Sequence, residues 1–397
     1  MPPPTMAVLT LPASGHVNPS LPLLEELARR GVRLVAWSAP EFAARLEQAG
    51  CDVRDYGDLG ADYASPPPRI AGVALMLAGT TERLLPRLVP AIAAEAPSLV
   101  VHDSMAPWGR VAARALGLPS VCLTATFAVH PRVRLPPRAA MRMLGDAAAG
   151  VPDALRLAPM SRRIAAAYGT RLGPPLEVLS NRRGARTVVF TAREFQPNPA
   201  AVREEAHYVG PLLAVRAGGE EAALAGLATA DELVYVSLGT LFESAPAFFR
   251  AAAAGLAAPG RRVLMSVGRV TPADLGPLPD GVEAVAAVDQ RAVLARASLF
   301  VTHAGMNSVH EALVAGVPMV LHPQSADQPV VAAHVARLGA GVVLRRATPA
   351  AIAAAAAAAL RDGRCQAAAA RLGADLRASA DLGRAAALLL EAAAPAR

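Results

Sequence analysis

Short apolar runs alternate along this 397-residue chain with segments whose apolar positions recur at helical spacing. That alternation predicts a parallel sheet covered by helices. In the amino-terminal half a strand is predicted over residues 6–11, followed by the loop PASGHVNPS and a helix over about 21–30 with Leu23, Leu24 and Leu27 on its apolar face. A strand over 32–37 comes next, and further units fall at 41–49, at 99–101 followed by 105–116, and at the strand 120–124. Between Pro131 and Pro175 the chain is arginine-rich, proline-punctuated and helical, an insertion suited to covering a pocket.

At HYVGPLLAVRAGGEE, residues 207–221, strand-like residues give way to Gly, Pro and charge. A second series begins at Leu233 with the apolar runs LVYVSLGT, RRVLMSVG, GVEAVAAVDQ, LFVTHAG, VPMVLHP and GVVL. The expected organisation is α/β, with doubly wound domains at 1–210 and 231–377 and a linker at 211–230. A final helix at 378–397 has an apolar stripe that requires packing, and the first domain is its expected partner.

Composition narrows the classes. Hydrophobic residues make up 53% of the chain, ample for two cores. No segment joins membrane-spanning length to bulky apolar content, and 350–360 reads as an alanine-rich helix, so no integral membrane association is expected. The start, MPPPT, lacks the basic and apolar regions of a signal peptide, which leaves a cytoplasmic location as the default. Cys51, Cys122 and Cys365 are too few and too scattered for a disulfide framework or zinc cluster. The net charge of +7 rests entirely on arginine, and aromatics are only 4%, so nucleic acid is not an expected partner.

The densest chemistry lies at 301–328, VTHAGMNSVHEALVAGVPMVLHPQSADQ. A strand over 299–302 ends at His303, the small Gly305 permits a tight turn, and Asn307 and Ser308 open a helix. The next strand, 317–321, precedes Asp327 and Gln328. A helix start facing a ligand offers free N–H groups and partial positive charge, which suit a phosphate. Asn307 and Glu311 are four apart and share one helix face, so one ligand can touch both. Asp327 reads equally well as a helix cap, as does Asp289 with Gln290 in the following turn. The SLGT turn at 237–240 can meet an anion through its amides and the Thr240 hydroxyl, or be a plain turn.

In the first half, His16 follows the first strand in a Gly-containing loop and Asp103 follows the strand at 99–101, both at the carboxyl edge of the sheet. A carboxylate beside an imidazole holds the ring's tautomer and makes the other nitrogen a general base. A solvent-exposed histidine and a capping aspartate are the competing readings. His102 competes for the same partner, although strand alternation points it to the opposite face. His310-Glu311 is not a metalloprotease motif, because Val314 stands where HExxH needs histidine. The chain has no DxD triplet, no GxGxxG and no Walker sequence, so no metal is expected and the cationic work falls to His303 and helix amides.

The 299–344 segment strongly resembles the nucleotide-sugar signature of family 1 glycosyltransferases of the UDP-glycosyltransferase superfamily, and GHVNPSLPLLEELARRG at 15–31 resembles their acceptor-side opening. With SLGT at 237–240, VGP at 209–211 and VDQRAVLARAS at 288–298, the resemblance covers nearly the whole chain and is nearest to bacterial macrolide-type enzymes. It implies the GT-B fold, two Rossmann-like domains facing across a cleft. It further implies that His16 is the general base and Asp103 its partner; that the Val288 backbone and Gln290 read uracil; and that Glu311 holds the ribose. Thr240, His303, Asn307 and Ser308 fall at the diphosphate, Gly305 falls within the donor-binding segment, and Asp327 and Gln328 fall at the sugar hydroxyls, favouring a hexose such as glucose. Asp289 stands where the family usually has proline, and Ala304 where glycine is frequent. Met76, Phe127 and His130 are candidate acceptor-pocket walls, a role that competes with core packing.

The reaction so implied is an inverting, cofactor-free and metal-independent transfer of a hexose from a UDP-sugar to a hydroxyl or similar nucleophile of a hydrophobic macrolide, polyketide or polyphenol. A TDP-deoxysugar transferase, a GT-B-like nucleotide-sugar epimerase and a noncatalytic auxiliary protein are the alternatives. The His16 loop and Asp103 count against the last two.

Overall fold

The computed structural model describes residues 4–59, 67, 69–128, 145, 149–180, 186–202, 206–213, 232–239, 246–324 and 327–394. The chain divides into two compact units, one of Met1–Ala214 with Ser379–Arg397 and one of Val215–Ala378. Most of the expected linker at 211–230 lies outside the described residues.

In unit 1 the elements run β1 (Thr5–Leu9), α1 (Ser14–Arg29), β2 (Arg33–Ser38), α2 (Ala43–Gln48), β3 (Cys51–Asp55), α3 (Ile70–Ala94), β4 (Leu99–Asp103) and α4 (Pro107–Ala115). They continue with β5 (Ser120–Thr124), α5 (Val151–Tyr168), α6 (Pro175–Ser180), β6 (Arg186–Val189) and β7 (Ala206–Tyr208). The described strands form one parallel sheet in the order β3-β2-β1-β4-β5-β6-β7. Strand β4 is buried along its whole length because a core covers each face. Val101 joins Val17, Leu21 and Leu24 of α1 on one side. On the other, Val100 joins Leu77 and Leu84 of α3 and Trp108 of α4.

Helix α1 starts at Ser14, not near Leu21, so His16 sits in the first turn of a helix and not in a loop. Gly15, Pro19 and Pro22 read as loop residues, and each proline does remove a helical bond. Burial of Val17, Leu21, Leu23, Leu24 and Leu27 against the sheet outweighs that loss.

Unit 2 contains β8 (Glu232–Ser237), α7 (Pro246–Leu256), β9 (Arg261–Ser266), β10 (Val282–Val285), α8 (Gln290–Leu294), β11 (Leu299–Thr302), α9 (Met306–Val314), β12 (Met319–Leu321), α10 (Gln328–Arg337), β13 (Gly341–Val343), α11 (Pro349–Leu360) and α12 (Arg364–Ser379). Its described strands are parallel in the order β10-β9-β8-β11-β12-β13.

The chain then returns to unit 1 with α13 (Leu382–Ala393), whose Ala385, Ala386, Leu388 and Leu389 join the core beneath α1. Gly210 makes room for the returning segment. A Cβ there would lie 2.5 Å from the backbone of Ser379 and Ala380, and the Asp381 N–H donates to the Val209 carbonyl at 2.9 Å. No described helix is long and apolar enough to cross a membrane.

Candidate functional site

Each strand order reverses direction once, between β1 and β4 in unit 1 and between β8 and β11 in unit 2. At such a point successive crossovers leave toward opposite faces of the sheet, so the carboxyl ends of the two central strands open a crevice. The residues with most chemical potential stand at these two positions.

In unit 1, His16 and Asp103 come together. His16 Nδ1 lies 2.9 Å from Asp103 Oδ2, and their side chains are 12% and 8% exposed. With the carboxylate ionised, Nδ1 carries the proton and donates it, leaving Nε2 with its lone pair. The other carboxylate oxygen, Oδ1, accepts the Met105 N–H at 2.7 Å, so the turn after β4 fixes the carboxylate from behind. His102 points to the opposite face and is fully buried, its β-carbon set closely against Gly109. Burial holds its imidazole down to about 4, so it is a neutral core residue at physiological pH.

In unit 2, His303 follows β11 and its ring is wedged between two glycines. A Cβ on Gly305 would lie 2.4 Å from His303 Nε2, and one on Gly239 would lie 2.8 Å from Cε1. Gly305 has φ −64°, so what it supplies is its small size and not a left-handed backbone. The left-handed residue is Ala304, at φ +65°. Desolvation holds His303 down to about 4, with the Ser237 backbone opposing this only in part. His303 is therefore a neutral imidazole near pH 7, not the cation the sequence reading assigned to it. The first turn of α9, beginning at Met306 with Asn307 and Ser308, adds backbone N–H groups and a positive helix end.

Gln290, Ser308 and Glu311 form one cluster. The Gln290 side-chain amide donates to Glu311 Oε2 at 2.5 Å and to Ser308 Oγ at 3.2 Å. Residues with separate roles in the sequence reading are thus linked by hydrogen bonds, which no spacing rule relates because the partners stand 18 and 21 positions apart along the chain. Asp289 is a helix cap: its Oδ1 accepts from the N–H groups of Arg291 at 3.0 Å and Ala292 at 3.4 Å. Val288 is half-buried just before it. Asp327 occupies the N-cap position of α10 yet makes no side-chain cap, and Gln328, 4% exposed, accepts the Gln324 N–H at 2.8 Å.

Met76 packs against the α3 side of the unit 1 core, and Phe127 is buried with its ring 5.7 Å from that of Phe195. Thr240 and His130 lie outside the described residues. Among the described residues, no group of three His, Cys, Asp or Glu side chains is placed to hold a metal ion.

Comparisons with known proteins agree with this architecture. The family model described as UDP-glucoronosyl and UDP-glucosyl transferase matches residues 188–372. The NDP-glycosyltransferase YjiC of Bacillus subtilis (strain 168) is 30% identical over 349 residues, covering 85% of this chain and 84% of the relative. The oleandomycin glycosyltransferase of Streptomyces antibioticus is 31% identical over 344 residues, covering 81% and 75%. The crystal structure of CalG4, the calicheamicin glycosyltransferase, matches 99% of this chain and 98% of its own, with a TM-score of 0.78 and 30% identity. Two Rossmann-like parallel-sheet domains of this kind are the GT-B fold. The chain thus belongs to the UDP-glucoronosyl and UDP-glucosyl transferase family of glycosyltransferases.

Proposed function

We propose that this glycosyltransferase moves a hexose, glucose in the first instance, from a UDP-sugar to a hydroxyl of a hydrophobic small molecule, with inversion at the anomeric carbon and without a metal ion. The observation that carries the reading is the 2.9 Å bond between His16 Nδ1 and Asp103 Oδ2 at the unit 1 switch point. It leaves His16 Nε2 as a general base for an acceptor proton, and the Asp103 carboxylate stabilises the imidazolium that forms. The acceptor oxygen then attacks the anomeric carbon opposite the departing diphosphate, so an α-linked donor gives a β-glycoside.

On the donor side, the Gln290–Ser308–Glu311 cluster is assigned to the nucleoside, with Glu311 on the ribose and the Val288 backbone beside the base. Gly305 holds space for His303, which supplies an N–H and not a charge, and Asn307 and Ser308 place helix amides on the diphosphate. Thr240 is assigned there on the resemblance alone. Asp327, whose side chain does not cap its helix, is assigned to the sugar hydroxyls, and Gln328 both to those hydroxyls and to the loop it ties down. Met76, Phe127 and His130 remain acceptor-side assignments, and the relative named for oleandomycin supports a macrolide or other natural-product acceptor.

The test is mass-spectrometric screening of UDP- and TDP-sugars against macrolides, polyketides and polyphenols. The expected result is a product heavier by one hexose, formed from UDP-glucose in the presence of EDTA. Transfer confined to TDP-deoxysugars would overturn the donor assignment. Interconversion of free nucleotide sugars with no acceptor product would overturn the transferase reading in favour of an epimerase.

A further inference from the structure

A second tie joins the two segments that carry His16 and Asp103. Trp108, the second residue of α4, donates its Nε1–H to the Tyr56 hydroxyl at 2.9 Å. Tyr56 donates in turn to the Thr10 carbonyl at 2.9 Å. Thr10 directly follows β1 and leads into α1, while α4 directly follows the Asp103 turn. The route from Thr10 through His16 and Asp103 to Trp108, and back through Tyr56, is therefore a closed loop of chain and hydrogen bonds.

The two ties lie on opposite faces of the sheet. Asp103 shares its strand parity with Leu99 and Val101, which face α1, whereas Tyr56 and Trp108 belong to the core on the α3 side. Thr10 is held from further directions: its hydroxyl lies 3.1 Å from the Trp37 carbonyl, to which it can donate, and 2.9 Å from the Ser38 hydroxyl, with which it pairs. Tyr56 is 2% exposed and Trp108 fully buried, their rings edge-on at 5.7 Å. Burial pushes the Tyr56 phenol above its ordinary range, so it remains an O–H donor. A buried hydroxyl that both donates and accepts in this way makes its neighbours costly to displace.

We infer that Tyr56 and Trp108 are positioning residues for the His16–Asp103 pair, bracing the ends of β1 and β4 so that the imidazole keeps its bond to the carboxylate. This rests on the general-base reading of His16. It assigns no contact with substrate to either residue. The brace also gives a reason for a Tyr–Trp hydrogen bond buried in this core, where a Phe–Phe pair would pack without polar demand.

The experiment uses the full chain with 15N-labelled histidine. The His16 ring signals are assigned with His16→Gln, and Asp103→Asn shows where they move when the pairing is lost. In Tyr56→Phe the His16 signals are expected to shift toward the Asp103→Asn positions, while His303 signals in unit 2 stay in place. Trp108→Phe, which leaves the Tyr56–Thr10 bond intact, is expected to produce a smaller shift in the same direction. With a donor and acceptor that turn over in the screen above, Tyr56→Phe should lower kcat roughly tenfold at unchanged donor KM, since a misplacement of about 1 Å costs up to about a hundredfold and a slackened brace permits a smaller one. It should add nothing in a His16→Ala background. Unmoved His16 signals in both variants, or an equal loss of turnover with and without His16, would overturn the brace. Full transfer by His16→Ala would overturn the general-base reading instead.

Discussion

The two units use one topological device for opposite electrostatic ends. In unit 1 the switch point holds an imidazole against a carboxylate, so the ring can accept a proton and share the resulting charge. In unit 2 the switch-point imidazole is buried between glycines, and desolvation keeps it neutral. The contrast teaches that position in the fold selects where a histidine stands, whereas its immediate neighbours decide whether its ring is paired with a carboxylate or kept neutral by burial.

The sharpest way to break the comparison is His16→Ala. It should lower transfer by roughly two to four orders of magnitude while UDP binding, followed by calorimetry, stays intact. A parallel loss of UDP binding would show that the division of labour between the units is wrong. Gly305→Ala should act from the other side. Its Cβ would intrude on His303 Nε2, and loss of that donor should cost roughly two orders of magnitude in kcat without moving the His16 ring signals.

Acid stability sharpens the difference further. A histidine whose folded value lies below its unfolded value of about 6.5 stays neutral in the native state while the unfolded chain takes up protons. Its contribution is present above about pH 6.5 and is lost as pH falls toward the folded value. His303 is held down to about 4 and His310 to about 3, and His322 is also lowered, all by burial in unit 2. In unit 1 His102 is held down to about 4 and His207 is lowered. Between about pH 6.5 and 5, where carboxylates are still mostly ionised, unit 2 should therefore weaken more. Both tryptophans of the chain, Trp37 and Trp108, lie in unit 1. Urea melts at pH 5 should show circular dichroism falling before tryptophan fluorescence responds, with the two traces closer together at pH 7. Coincident traces at both pH values would refute this.

The smallest expected effect is Ala304→Gly. A left-handed alanine is strained by about 1–2 kcal/mol, and glycine's extra unfolded-state freedom returns part of that. The variant should be stabilised by about 0.5–1 kcal/mol in denaturant melts, with the dyad undisturbed. A loss of stability would show that the alanine methyl contributes packing that outweighs its backbone strain.

Much of this could be read before any coordinates. The apolar runs of unit 2 correspond to β8 through β13, and the strand at 120–124 corresponds to β5; for the central strands β8, β11 and β12 the reason is that strands covered on both faces must be apolar throughout. Edge strands escape that rule: β3 reads CDVRD with three exposed positions, and β7 is only AHY, so neighbouring strands and not their own pattern define them. The start of α1 was hidden by its prolines for the same reason, since burial is a property of the packed molecule.

By itself the sequence determined the two α/β series, the apolar strands at their centres and the residue types gathered at the strand ends, because each follows from local periodicity and composition. Only the tertiary structure decided that His16 meets Asp103 across 87 positions of chain, that Gln290 meets Glu311, and that His303 is neutral. Hydrogen bonds between distant segments and the desolvation of an imidazole depend on what surrounds a group in space, and no spacing along the chain encodes that.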